Sequence, residues 1–282
     1  MQHGVQSLLE FHSRHFLGLG LTVAAGTVYG WLWSLGRHAF RDAIPLWRVR
    51  AFYCGLSFLW LAVASPLAEL HHELLTIHMV QHLLLSTVAA PLLLLGEPFL
   101  LLRRAWRREF APLPPAPSVP QERLGGAAGW MTHPVFCWLA AVITLLAWHV
   151  PRIFEWAMQS PLRHGLQQFT FLATGILFWW PVVRPWPGAP VWPRWSIPLY
   201  LLLATLPCDA LSAFLTFCGR VVYPVYLDGP GHVPLSPLQD QECAGALMWV
   251  WVTVAYLVPA VFITLQILAP PVSRSGEERP VN

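Results

Sequence analysis

The stretch HHELLTIHMVQHLLL, residues 71–85, decides how the chain is read. It opens an apolar run that continues to Leu102, and it carries His71, His72, His78 and His82. An α-helix turns 100° per residue, so His71, His78 and His82 fall within about 40° of one another on the helical surface. His78 and His82 stand at i, i+4, the spacing at which two side chains grip one ion or one cofactor edge. Imidazoles are poorly accommodated in hydrocarbon, where a polar group needs a partner. A single histidine there is accounted for by an interhelical hydrogen bond. Two on one stripe point to a site. His71 and His72, at the head of the run, read as wet loop residues.

The rest of the composition sets this helix in a membrane. The chain is 56% apolar and 11% charged, with a mean hydropathy of +0.52. That pattern belongs to a polytopic membrane protein and excludes a soluble globule with one anchor. Sixteen tryptophans suit rings placed at both membrane interfaces. All seventeen basic residues are arginine, and they lie between apolar runs rather than in one patch, so nucleic acid is not an expected partner. The five cysteines form no CxxC pair, which leaves out a zinc ribbon or a thioredoxin-like motif. Cys218 and Cys243 flank the same connection, where topology permits a disulfide without requiring one. No Gly-rich phosphate loop, GxSxG or HExxH is present, and the chain is read as a non-enzyme.

A span needs about 20 mostly apolar residues. Seven runs qualify, at roughly 16–36, 46–65, 74–96, 134–151, 164–184, 196–217 and 244–269. The expected fold is an all-α, seven-transmembrane-helix bundle. Residues 1–15 are expected as an outer N-terminal tail with no cleavable signal. Residues 16–269 form the membrane domain, with a cytoplasmic Pro-rich loop at 103–133, and 270–282 a disordered cytoplasmic tail. Pro207 is expected to kink the sixth span. Arg14, Arg152, Arg163 and Arg220 fall on one side of the membrane and the other thirteen on the opposite side, most densely at Arg103, Arg104, Arg107 and Arg108. Arginine excess marks the cytoplasmic face, which orients the chain N-out and C-in.

That orientation gathers the unusual residues at one level. His78 and His82 lie about 6 and 12 Å below the outer end of the third span. His149 closes the fourth span and His164 opens the fifth. Asp209 sits in the outer half of the sixth, Asp240 and Gln241 precede the seventh, and Met248 lies about one turn inside it. Imidazole suits copper, iron and zinc, and a thioether favours Cu(I). The expected metal ligands are therefore His78, His82, His149, His164 and Met248, with Asp240, Gln241 and Asp209 behind them to orient a ligand. Packing is the competing account of Met248, and relief of backbone groups freed by Pro207 that of Asp209. Two histidines on separate helices, such as His82 and His149, could instead hold a haem, as in membrane cytochromes.

Five segments taken together carry a family resemblance. They are HMVQHLLL (78–85), APLLLLGEP (90–98), WHVPRIFEWA (148–157), His164 with the QQFTFLATGILFWWPV that begins at Gln167, and LQDQECAGALMW (238–249). In this order, over roughly residues 46–269, they resemble the CtaG family of bacterial membrane proteins needed to assemble caa-type cytochrome c oxidase. The resemblance implies a seven-span bundle in the bacterial cytoplasmic membrane and a role in oxidase maturation at a copper centre. Oxidase subunits or copper chaperones are the implied partners. The family pattern carries over to His78, Gln81, His82, Gly96, Pro98, His149, Pro151, Glu155, His164, Trp180, Asp240, Gln241, Gly245, Met248 and Trp249. It does not reach His71, Cys208, Asp209 or Cys243. Copper handling is the leading expectation. Haem binding or delivery, copper import or tolerance, and a metal-free scaffold for subunit insertion are the alternatives. Reporter fusions after Arg108 and after Arg220 are expected to read cytoplasmic and external, and the reverse pair would put the histidines at the inner face.

Overall fold

In lipid a chain must satisfy its own backbone, so the apolar runs have helix as their only open-chain solution. The computed structural model describes residues 2–35, 44–110, 130–185, 192–227 and 235–269, and the regular structure among them is entirely helical. In order the helices are α1 (Gln2–Leu35), α2 (Leu46–Val63), α3 (Leu75–Leu83), α4 (Ala90–Leu95), α5 (Pro98–Phe110), α6 (Pro134–His149), α7 (Pro151–Met158), α8 (Pro161–Val183), α9 (Ser196–Phe217) and α10 (Pro237–Leu268). A 3₁₀ turn, Pro66–His72, leads into α3, and a π-helical turn, Leu84–Ala89, joins α3 to α4. Residues 111–129 of the expected Pro-rich loop at 103–133 and the tail at 270–282 lie outside the described residues.

Five stretches are long and apolar enough to cross a membrane: Leu46–Val63, Leu75–Trp106, Pro161–Val183, Ser196–Phe217 and Pro237–Leu268. Helices α6 and α7 make a sixth if counted together, and they meet at 78°. Helix α1 is not among them. The protein is thus a polytopic helical membrane protein.

Several boundaries differ from those expected, each for a local reason. Residues 152–163 were expected as a connection, but α7 occupies most of them. Pro151 has no N–H to continue α6, and it holds Val150 extended (ψ 123°), so the chain breaks and restarts with proline in the first turn. Helix α10 begins at Pro237, not near 244. Ser236 and Gln239 form a reciprocal capping box there, and Pro237 suits the first helical position. Asp240 and Gln241 therefore lie within the last helix. Helix α1 runs back to Gln2 through the stretch expected as a tail. Arg103 and Arg104 lie on α5. Pro207 sits inside α9, which continues from Ser196 to Phe217.

At the end of the bundle away from the 3₁₀ turn, α4 stops at Gly96 and α5 starts at Pro98. Glu97 between them adopts a left-handed conformation (φ 52°). Its carboxylate pairs with Arg48 of α2 at 2.6 Å, and the Tyr29 hydroxyl of α1 donates to the Gly96 carbonyl at 2.7 Å. This corner ties α1, α2 and the α4–α5 break together.

The most extensive helix interface joins α9 and α10. A β-carbon on Gly245 would lie 2.5 Å from Thr216 Oγ1 and 2.9 Å from the Ser212 carbonyl. The close approach needs the glycine, as at the small-residue seams of membrane helices. Gly245→Leu is expected to destabilise by at least the ~1–3 kcal/mol typical of overpacking. Lower accumulation in the membrane and a lower melting temperature in detergent would register it, and normal values for both would refute it.

Candidate metal centre

The centre is built on α3, and α3 begins without a cap of its own. Leu74 precedes it and offers no side-chain oxygen to the first N–H groups. Asp240 of α10 supplies one from across the bundle. Its carboxylate accepts from Leu75 N at 2.6 Å and from Thr76 N at 3.2 Å. The Thr76 hydroxyl donates to the same carboxylate at 2.6 Å. Asp240 is 3% exposed, so an acidic group is held dry where the helix dipole and two orphan donors favour it. Asp240 was expected to orient an imidazole. Instead its oxygens are taken up by the start of the histidine helix.

One turn further on, His78 and His82 face inward. Their Nε2 atoms lie 2.7 Å apart, one donating and the other accepting. His164, from the first turn of α8, stacks on His78 with ring centroids 5.2 Å apart. These three histidines present ligand nitrogens that all lie within 4.8 Å of one another, and all three are buried. Phe154 of α7 packs on His78 at 4.9 Å and Phe171 of α8 on His82 at 4.2 Å. Buried nitrogens at His78 Nδ1, His82 Nδ1 and His164 Nε2 have no hydrogen-bond partner. Each such group costs about 1–3 kcal/mol unless something else meets it. A cation coordinated by His164 Nε2 would meet one of them.

His149 falls outside this triad. Its Nδ1 lies 2.7 Å from the Leu145 carbonyl, which can only accept, so Nδ1 carries the proton and Nε2 is a bare lone pair. Nε2 is buried and unpartnered. His149 lines a cavity of about 70 Å³ together with His82, Met79, Met248 and Cys208. The expected cluster of four histidines and Met248 is therefore split. His82 is common to both halves, with nitrogen donors on one side and mostly soft donors on the other. Tyr223 secures this wall by donating to the His149 carbonyl at 3.1 Å.

The remaining expected residues take other places. Gln241 is buried, but it clamps the loop after α9. Its Oε1 accepts from Val222 N at 2.7 Å, and its Nε2 donates to the Arg220 carbonyl at 3.0 Å. It orients no imidazole. Asp209 is half-buried, with Oδ1 unpartnered, and it borders neither the triad nor the cavity. All five cysteines are free thiols, so Cys218 and Cys243 are unpaired. His71 is the largest correction. It is 7% exposed, not a wet loop residue, and its ring stacks on His164 at 4.1 Å. The available signal was its position on the same helical stripe as His78 and His82. Cys208 was passed over in favour of Asp209. Its place on the buried face of α9 with Leu201, Ala204 and Leu215 was the clue.

Comparison with known proteins bears on this arrangement. The family model described as cytochrome c oxidase caa3 assembly factor matches residues 27–269. The chain belongs to this family. An uncharacterized protein of Mycobacterium bovis and another of Mycobacterium tuberculosis are each 24% identical to it over 247 residues, covering 80% of this chain. The chain spans about a third of the length of those two relatives, 35% in each case. No solved structure matches significantly.

Asp240→Ala is expected to cost about 1–2 kcal/mol, the worth of a strong N-cap. Thermal unfolding in detergent micelles measures it, and an unchanged midpoint would mean that water or another group caps α3 equally well.

Proposed function

We propose that this assembly factor handles copper for cytochrome c oxidase at the His78–His82–His164 triad, on the outer side of the bacterial cytoplasmic membrane. The observation that carries the reading is the set of three buried imidazoles with ligand nitrogens within 4.8 Å. Three nitrogen donors hold Cu(I) or Cu(II) and leave a position open for an acceptor, which a closed four-ligand site would not. An ion bound at the Nε2 atoms of both His78 and His82 requires the donor ring to carry its proton on Nδ1 instead, so loading switches one tautomer and releases no proton from this neutral pair. The neighbouring cavity offers Met248, Cys208 and His149 Nε2 as donors for a monovalent ion leaving the triad. No chemical conversion is required of the protein, which fits a non-enzyme.

In this reading the bundle has seven spans, N-out and C-in. Helix α1 is the first span, and α6 crosses with its 16 residues, about 24 Å at helical rise. Helix α7 then lies along the outer interface. The partners are oxidase subunits or copper chaperones. Haem is the weaker alternative, because a cavity of about 70 Å³ admits an ion or a few waters but not a porphyrin. Copper import or tolerance would use the same ligands and differ in the acceptor. A metal-free scaffold would leave the triad to packing.

His78→Ala and His82→Ala are each expected to abolish oxidase maturation while the protein stays in the membrane. The purified wild type should be colourless and carry stoichiometric copper. A Soret band would favour haem. Maturation that survives both substitutions in a metal-free preparation would favour the scaffold.

A further inference from the structure

We propose that His72, His71 and His164 form a relay of imidazoles that conducts copper between the exposed rim of the bundle and the buried His78–His82 pair. The proposal rests on the copper reading above and goes beyond it by naming the route.

The triad needs such a route because it is closed. His78 is 0% exposed and His82 is 4% exposed. Phe154 covers His78, and Tyr223 and Tyr226 pack against Phe154 in turn. A hydrated cation cannot cross that apolar cover without shedding water it has nothing to replace. A ligand-by-ligand path removes the penalty, since each donor is exchanged for the next and the ion is never bare.

The 3₁₀ turn before α3 supplies such a path. His72 is exposed. Its ring centroid is 3.8 Å from that of His71, which is buried. The His71 ring lies 4.1 Å from that of His164, and the His164 ring 5.2 Å from that of His78. His78 Nε2 then meets His82 Nε2 at 2.7 Å. No step between rings exceeds 5.2 Å, and the series runs from the exposed rim to the bottom of the site.

The central rung is held in a ligating state. His71 Nδ1 lies 2.5 Å from the Ala68 carbonyl. A carbonyl only accepts, so Nδ1 carries the proton and Nε2 is the coordinating nitrogen. Gln81, on the same helix as the triad pair, donates to that carbonyl at 2.8 Å. The Tyr226 hydroxyl donates to the His71 backbone carbonyl at 2.9 Å. Two separate elements thus fix the turn, and with it the tautomer and place of one ring. Packing against His164 would require a flat ring here, but neither a fixed tautomer nor an exposed imidazole beside it.

The test is copper uptake by the full-length protein in detergent micelles. Cu(I) is supplied as its bicinchoninate complex, and loss of that colour is followed by stopped flow. His71→Phe keeps a flat buried ring and removes the nitrogen. His72→Ala probes the outer rung at an exposed position. Both are expected to slow uptake by about tenfold or more while final stoichiometry and competition affinity stay at wild-type values. Uptake at the wild-type rate in both variants overturns the relay while leaving the copper reading intact. A fall in stoichiometry with either substitution also overturns it, because that residue would then belong to the binding site itself. A wild type that takes up no copper defeats the copper reading, and the relay with it.

Discussion

The contact between Asp240 and the first turn of α3 is the constraint on which the site depends. A helix that starts at Leu75, behind an apolar Leu74, has orphan N–H groups and no local side chain to meet them. Asp240 comes from the last helix in the chain and meets two of them. The bond is charge-assisted and dry, which strengthens it relative to a cap in water. It sets where α3 begins, and therefore where His78 and His82 stand one and two turns later. Asp240 is in turn placed by α10, whose capping box fixes its start and whose Gly245 seats it against α9. Residues scattered from 74 to 245 thus act on the position of two imidazoles.

The third imidazole of the triad is placed by a different device. Pro91 has no N–H, so the helix that continues α3 cannot keep its ladder, and the chain passes through a π-helical turn at Leu84–Ala89. The turn leaves the Ser86 carbonyl to an outside donor, and Trp179 of α8 supplies it at 2.9 Å. Gly175 lets α8 come close at the same point, since a β-carbon there would lie 2.8 Å from Ser86 Cα. His164 stands eleven residues before Gly175, within about 20° of it on the helix surface. The contact at Ser86 therefore points His164 at the face of α3 that carries His78 and His82. Phe171, between the two on that face, stacks on His82. The π turn is a register device, and its effect appears three turns away.

How much of this was legible depends on whether the controlling interaction is local. The apolar runs marked the helices, because hydrophobic length is a property of consecutive residues. The i, i+4 spacing of His78 and His82 marked the core of the site, because helical geometry converts spacing into direction. Boundaries were misplaced where a cap or a proline decided them, as at α7 and α10. His71 was misread because its burial comes from His164, Gln81 and Tyr226, which are distant in the chain or lie on another element. Asp240 was recognised as important, and its task was misassigned because an acidic residue near histidines has two uses. Which one operates is settled by which groups are left without partners.

The sequence by itself determined a polytopic helical membrane protein, its assembly-factor family and the pair of histidines one turn apart. The first and last follow from composition, run length and helical spacing, and the family from the resemblance of five segments taken in order; none of these needs knowledge of what packs against what. Only the tertiary structure decided that His164 joins that pair, that His149 and Met248 face a separate cavity with Cys208, that Asp240 caps α3, and that His71 is buried against His164. Each of those is a meeting of side chains from different helices. Its geometry depends on glycine contacts, a π turn and loop anchors that fix helix register to within a few ångströms, and no pattern within one segment carries that register.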